Sequence, residues 1–189
     1  MTREEIQAKV AARFPKTDRD SAEVKDYLTL RLPDAASLPA VVDYFKDELG
    51  FSYLDMATAV DWKGPVDPAG FIREPNPNPF VPQAPAAPAA AKPLPGTPYR
   101  DAFCLVYALS HLEARVKVFL KLDVPRSDAR VPSLTRRYRS AEWQEREVFD
   151  LFGVQFEGHP DLRKILTASF LQGHPLRKDY AHVPDRFDK

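Results

Sequence analysis

The prolines of this chain are concentrated in one segment, and that segment limits where regular structure can form. Eleven of the 19 prolines lie in residues 63–98, together with an alanine-rich run at 84–91. Proline has no amide hydrogen to donate and its φ angle is fixed, so frequent proline disfavours both helices and paired strands. We therefore predict an insertion at 63–98. It is either a flexible excursion or a strap that a partner orders through Phe71, Ile72, Phe80 and Val81.

The segment before the insertion has the pattern of a helix, a strand, a second helix and a second strand. Thr2 and Glu5 have the spacing of a capping box, which opens the first helix. Alternating apolar residues over 24–32 predict a strand, and the apolar spacing over 38–49 predicts a helix with one buried face. Residues 51–62 predict a strand whose apolar face consists of Leu54, Met56, Val60 and Trp62.

The segment after the insertion predicts a β-hairpin and a helix. Residues 103–112 are almost continuously apolar, as in a central strand, and residues 115–122 alternate. Ser140 is placed to be the N-cap of the next helix, and Gly153 is placed to end it. Val148, Leu151 and Phe152 share the core face of this helix, with Trp143 on its flank. Glu142, Arg146 and Asp150 recur every four residues, which predicts a solvent-exposed row of alternating charge.

These elements predict an α+β fold in which a mixed four-stranded sheet is covered by helices in two layers. We assign residues 1–153 to this domain, including the insertion at 63–98, and residues 154–189 to an extended tail. The tail has many apolar residues but little pattern of regular structure. We therefore expect it to bind a partner, since it cannot cover its own apolar surface.

An ordered series of polar motifs runs from the last predicted helix into the tail. The motifs are Glu145-Arg146-Glu147, Asp150, Gly153, His159-Pro160-Asp161-Leu162-Arg163 and Gly173-His174-Pro175-Leu176-Arg177-Lys178-Asp179. This series resembles the signature of the 30-kDa subunit of respiratory complex I, the NADH:quinone oxidoreductase, which is the C-type subunit of the bacterial enzyme. An order kept over some forty residues is more specific than any single short motif.

The resemblance implies a structural and assembly subunit with no catalytic residues of its own. Such a subunit belongs to the peripheral arm on the cytoplasmic side of a bacterial inner membrane, where it supports electron transfer from NADH to quinone coupled to ion translocation. No cofactor is expected in this chain, while FMN and iron–sulfur clusters are expected on other subunits. The alternative is the equivalent scaffold of a membrane-bound hydrogenase or of another electron-input complex.

The chief partner that the resemblance implies is the large, 49-kDa-type subunit of the quinone site. We expect the signature and the tail to bind it. The residues concerned are Glu145, Arg146, Glu147, Asp150, Phe156, His159, Leu162, Arg163, Ile165, Phe170, His174, Leu176, Arg177, Lys178 and Asp179.

Composition and spacing disfavour other kinds of function. Basic and acidic residues number 27 each, so the sequence lacks the basic surface of a nucleic-acid-binding protein. No apolar run is long enough to span a bilayer directly. The single cysteine, Cys104, lies in an apolar strand and is expected to be buried, so an all-cysteine iron–sulfur site is not expected. The candidate metal ligands lack the spacing of a helical metal motif; they are His159, His174, His182, Asp161, Asp179 and Asp185.

Overall fold

The computed structural model describes residues 1–21, 24–64, 95 and 98–180. The helices are α1 (Arg3–Arg13), α2 (Leu38–Asp43), which continues as a π-helical turn over Tyr44–Glu48, and α3 (Ala141–Phe152). The strands are β1 (Asp18–Arg19), β2 (Leu28–Arg31), β3 (Tyr53–Asp61), β4 (Ala102–His111), β5 (Val116–Pro125), β6 (Arg130–Pro132) and β7 (Gln155–Glu157). Nearly all of the predicted insertion lies outside the described residues, so its two interpretations stay predictions.

The main sheet has five strands in the order β1-β2-β5-β4-β3. Strand β2 pairs with β5 in parallel, and the other neighbours are antiparallel, which makes the sheet mixed. The predicted α+β fold is thereby confirmed. The sheet has one strand more than predicted because the two-residue β1 pairs with β2. Strands β6 and β7 form a separate parallel pair.

Local sequence signals place the first two helices as predicted. The Thr2 hydroxyl accepts a hydrogen bond from the Glu5 amide at 3.2 Å, and the Glu5 carboxylate accepts one from the Thr2 amide at 2.9 Å, which completes the capping box. The chain leaves the second helix through Gly50, whose φ of +77° is the left-handed conformation that glycine adopts without strain. The core-facing residues of both helices are buried against one face of the sheet.

The predicted hairpin is the centre of the sheet. Strands β4 and β5 pair over their whole length, with Leu105 opposite Leu122. Their core-facing side chains join the main hydrophobic cluster. Cys104 is buried as predicted, in a smaller cluster on the opposite face that also contains Val106 and Phe119.

The predicted apolar face of β3 is wrong, because the strand contains a bulge. The register with β4 shifts between Leu54 and Met56. An extra residue reverses the alternation of side chains beyond it. Leu54 is therefore buried, but Met56 and Val60 are 38% and 40% exposed on the other face, while Ala59 points into the core and is 7% exposed.

The start of α3 covers the outer edge of β3, which is the last strand of the sheet. The Ser140 hydroxyl donates to the Leu54 carbonyl at 3.0 Å, and the Gln144 side-chain amide donates to the Asp55 carbonyl at 3.3 Å. Ser140 is the N-cap residue of α3 as predicted, but its hydroxyl bonds β3 and not the first turn of its own helix. Covering an edge strand in this way hides its unpaired backbone groups.

Because of the bulge, Ala59 faces the core and Val60 faces solvent, so a charged substitution should destabilise the fold mainly at Ala59. We expect Ala59→Asp to lower the free energy of unfolding by about 3 kcal/mol or more, because it buries a carboxylate without a partner. Val60→Asp should cost about 1 kcal/mol or less, since that position is open to solvent and loses mainly strand propensity. Urea unfolding of both variants measures the difference, and equal losses would contradict the observed register.

Candidate partner-docking site

The tail closes the C-terminal end of α3 with hydrogen bonds. Gly153 has a φ of +77° and its amide donates to the Phe149 carbonyl at 2.8 Å, which ends the helix as predicted. The next three carbonyl groups of α3 have no partner within the helix. The Asp150 carbonyl accepts from His174 Nδ1 at 2.9 Å, the Leu151 carbonyl from the Leu176 amide at 3.0 Å, and the Phe152 carbonyl from Arg177 Nε at 2.6 Å. The positive charge of Arg177 also suits the negative end of the helix dipole.

Gly153 also leaves room for the His174 ring. A Cβ atom at Gly153 would lie 2.5 Å from His174 Cδ2, which is too close for any other residue. The ring packs edge-on against Phe149, with 6.1 Å between centroids. Burial lowers the pKa of His174, and the nearby Arg177 and Lys164 lower it further. The packing of the His174 ring therefore requires glycine at position 153, and its burial favours the neutral form of the ring.

Asp150 fixes the segment between the two tail motifs. Its Oδ2 accepts hydrogen bonds from the amides of residues 165, 166 and 167 at 3.0, 2.8 and 2.9 Å, and its Oδ1 accepts one from the Thr167 hydroxyl at 2.5 Å. Burial acts to raise the pKa of Asp150, but these hydrogen bonds outweigh it and lower the pKa. A buried carboxylate surrounded by amide donors in this way stays ionised.

Arg146 and His159 hold the first tail motif against the same face of α3. Arg146 Nε donates to the Arg163 carbonyl at 3.2 Å. His159 Nδ1 accepts from the Asp161 amide at 3.0 Å, so its Nε2 carries the hydrogen and donates to the Glu142 carbonyl at 2.9 Å. The prediction of a solvent-exposed charged row is wrong, because the tail covers this face and buries Arg146 and Asp150.

Glu145 forms its hydrogen bonds inside the domain and not with the tail. Its carboxylate is fully buried, where Oε2 accepts from the Ser133 hydroxyl and Oε1 from the Leu134 amide, both at 2.6 Å. Burial raises the pKa of Glu145 to about 7, although these two hydrogen bonds act to lower it. This side chain fixes the turn after β6, so its place in the signature has a reason within the chain itself.

An ion cluster around the buried Arg126 and Asp61 attaches the end of the tail to the sheet. Arg126 Nη2 donates to Asp61 Oδ2 at 3.1 Å, and the same guanidinium bonds Asp179 through Nη1 at 3.0 Å and through Nη2. Asp61 Oδ2 also accepts from the Lys178 amide at 2.8 Å. The hydrogen bond from Arg126 holds the pKa of Asp179 below its usual range, against the effect of burial, and Lys63 adds to the lowering.

Sequence reasoning missed Arg126 and Asp61, which look like ordinary polar residues at strand ends. One signal was available. Once the bulge is known, Asp61 falls on the core side of β3 with Ala59, and a buried carboxylate in that position needs a cationic partner.

The remaining predicted partner-binding residues divide by exposure. Phe156 is buried in the main core, together with Val154, and Leu162 packs against that core. Those open to solvent are Glu147, Arg163, Phe170, Leu176 and Lys178. Two further side chains outside the predicted partner-binding set are also exposed, Trp143 on α3 and Leu166 in the tail.

Four large apolar side chains thus stand on a segment that is fixed to α3 and are more than half exposed. We call them the docking surface: Trp143, Leu166, Phe170 and Leu176. Arg146 links the helix to the tail at this surface, since its guanidinium lies 5.0 Å from the Trp143 ring centroid and its Nε bonds the first motif. Large exposed apolar side chains on a backbone that is held in position are typical of a protein-binding site.

The described part of the chain offers neither a metal site nor a membrane span. No group of three or more histidine, cysteine or acidic side chains there is arranged to hold a metal ion. His182 and Asp185, two of the candidate ligands, lie outside the described residues. None of the described helices is long and apolar enough to cross a membrane.

Comparison with known proteins agrees with the signature. The family model for the 30-kDa subunit of respiratory-chain NADH dehydrogenase matches residues 33–185. The C-type subunit of NADH-quinone oxidoreductase from Trichlorobacter lovleyi is 32% identical over 177 residues, which is 94% of this chain and 86% of that protein. The chain belongs to the 30-kDa subunit family of complex I.

Other members of the family match over shorter stretches. Subunit 5 of the Thermus thermophilus enzyme is 50% identical over 88 residues, so that match spans 42% of the Thermus protein. A Shewanella oneidensis protein, named as the C/D subunit of the enzyme, is 42% identical over 93 residues, which is 15% of its length. Among solved structures, a trypsin-resistant fragment of Nqo5 has a TM-score of 0.55 over 85% of this chain at 24% identity, which supports the fold.

Two glycines of the family segment allow a matched test of the α3 closure. Gly153 and Gly158 both have positive φ, but only Gly153 faces the His174 ring, while nothing lies within 4 Å of a Cβ at Gly158. We expect Gly158→Ala to cost roughly 1–2 kcal/mol for the backbone conformation alone. Gly153→Ala should cost at least about 1 kcal/mol more, because the new methyl displaces the ring and its hydrogen bond.

The measurement is urea unfolding, with tryptic cleavage of the tail in native buffer as a second readout. Gly153→Ala should release the tail for cleavage earlier than Gly158→Ala. Equal stabilities and equal cleavage rates would show that His174 does not hold the tail on α3.

Proposed function

We propose that this chain is a non-catalytic structural subunit of the peripheral arm of complex I and docks on the large quinone-site subunit. In this role it supports electron transfer from NADH to quinone, coupled to ion translocation, without taking part in the chemistry. The observation that carries the proposal is the docking surface, which places large apolar side chains in water on a backbone already held in position.

The polar residues of the signature are engaged inside the chain, which supports binding over catalysis. Asp150 and His174 close the end of α3 and the segment that follows it, His159 bonds the helix backbone, and Asp179 joins the ion cluster. Each of these groups is satisfied by a structural hydrogen bond. The residues left to contact a partner are the apolar side chains of the docking surface and the exposed charged residues Glu147, Arg163 and Lys178.

The relatives with the double name C/D support the choice of partner. In the Shewanella protein the matched region is a small part of a much longer chain, and its name joins the letters of two subunits, C and D. Fusion of two subunits in some organisms is expected where the separate subunits are neighbours in others. We therefore propose the D-type large subunit as the partner of the docking surface.

The proposal also covers the setting of the chain and the division of its parts. We propose a peripheral place on the cytoplasmic side of a bacterial inner membrane, with FMN and iron–sulfur clusters held by other subunits. We keep residues 1–153 as the domain and 154–189 as the partner-binding tail. Val154 and Phe156 belong energetically to the domain because they are buried in its core. A truncation that tests the tail should therefore remove only residues beyond Gly158.

Removing the apolar character of the docking surface should abolish assembly without unfolding the chain. We expect the double variant Leu166→Asp, Phe170→Asp to reduce the amount of large subunit that co-purifies with the tagged chain at least about tenfold, which is about 1.4 kcal/mol. The physical reason is that two carboxylates would be desolvated at the centre of the interface.

Leu112→Asp is the matched control, since Leu112 is 59% exposed at the end of β4, against 61% for Leu166 and 64% for Phe170. It should leave co-purification within about twofold of the original chain. Both proteins should unfold at the same urea concentration as the original. Normal recovery of the large subunit with the double variant would overturn the proposed docking surface.

A further inference from the structure

A cavity of about 410 Å³ lies where the tail meets the end of β3. One side of it consists of residues at the end of β3 and just after it, including Val60 and Trp62. The other side consists of the tail residues Leu176 and Lys178, and Phe152 at the end of α3 also lines it. The cavity therefore exists only while the tail lies against the domain.

The hydrogen bonds that hold the tail also set the shape of this cavity. The Leu176 amide is bonded to the Leu151 carbonyl at 3.0 Å, and the Lys178 amide to Asp61 at 2.8 Å. Asp179, the next residue, is held by the Arg126 guanidinium. Leu176 and Lys178 are thus held in position by their backbone amides, and Lys178 also by the ion pair of its neighbour Asp179. A cavity whose walls are already in place binds without the cost of ordering them.

The lining combines apolar surface with positive charge at the rim. Ala59, Val60, Phe152 and Leu176 supply aliphatic and aromatic surface. Lys178 forms no ion pair with any residue that the structure describes, so its ammonium group is available to a ligand. Lys63, the second lysine of the lining, lies 3.2 Å from Asp179, which neutralises only part of the local positive charge.

The one carboxylate in the lining does not repel an anion at the rim. Asp61 is bonded by the Arg126 guanidinium at 3.1 Å and by the backbone amides of Lys63 at 3.0 Å and Lys178 at 2.8 Å. These donors, one of them a guanidinium, offset its negative charge. The positive charge at the rim therefore favours a carboxylate of the ligand. The apolar lining favours a bulky apolar side chain.

We propose that this cavity is an anchor site for the large subunit and takes one bulky apolar side chain with a carboxylate beside it in the partner's sequence. The inference rests on the proposed function and deepens it. Leu176 belongs both to the docking surface and to the cavity, so a partner that covers Leu176 also reaches the mouth of the cavity. Buried anchors in such pockets supply a large share of the affinity of an interface.

Val60 and Met56 provide a matched pair of variants. They lie on the same face of β3 with 40% and 38% exposure, but only Val60 lines the cavity. We expect Val60→Glu to weaken binding of the purified large subunit at least about tenfold, because its carboxylate occupies the rim and pairs with Lys178. Met56→Glu should change the affinity less than about twofold.

Lys178→Ser gives an independent readout that does not alter β3. Its backbone amide still bonds Asp61, so the tail stays in place. We expect a loss of affinity of about threefold or more and a weaker dependence of the affinity on salt, because one charge pair is removed. Thermal unfolding of all three variants checks that each one folds.

The outcomes separate this inference from the proposed function. If the original chain does not bind the large subunit, the proposed function fails. If the original chain binds but Val60→Glu behaves like Met56→Glu, and Lys178→Ser keeps the original salt dependence, the cavity is not an anchor site. Loss of affinity with Val60→Glu and Lys178→Ser, and not with Met56→Glu, supports it.

Discussion

The carbonyl groups at the end of α3 are the constraint on which the tail depends. A helix that ends inside a protein leaves carbonyls that must find donors, and here each donor comes from the second tail motif. The motif therefore has a purpose within the subunit before any partner is considered. Gly153, His174 and Arg177 form one unit, in which glycine turns the chain, histidine packs on that turn, and arginine bonds the last carbonyl.

The same reasoning separates the signature from the surface that it supports. Asp150 and Arg126 act as buried hubs that gather backbone amides and carboxylates from distant parts of the chain. Because their partners lie inside the subunit, they fix the position of the tail, and we propose that its exposed side chains contact other subunits. The polar motifs build a fixed platform, and the docking surface and the anchor cavity are its consequences.

The parts of the fold that the sequence predicted are those set by neighbouring residues. The capping box of Thr2 and Glu5, the left-handed Gly153 and the β4–β5 hairpin each depend on residues a few positions apart. The signature also identified the family correctly, since the order of its motifs is a property of the sequence itself.

The parts that the sequence did not predict depend on contacts between distant residues. The bulge after Leu54 is set by pairing with β4, and it exchanged the two faces of β3. Arg146 and Asp150 have the spacing of an exposed row, yet a tail that follows the helix buries them. Trp143 and Leu166 could not be assigned to a docking surface before the path of the tail was known.

The central claim is that the tail is fixed on α3 in the free subunit, before any partner binds. Amide hydrogen exchange of the isolated chain, resolved residue by residue, tests this most directly. The amides of residues 165–167, bonded to Asp150, and of Leu176, bonded to Leu151, should exchange at least about a hundredfold more slowly than in an unfolded peptide. Exchange of these amides at unfolded-peptide rates, with the strands of the sheet still protected, would contradict the account.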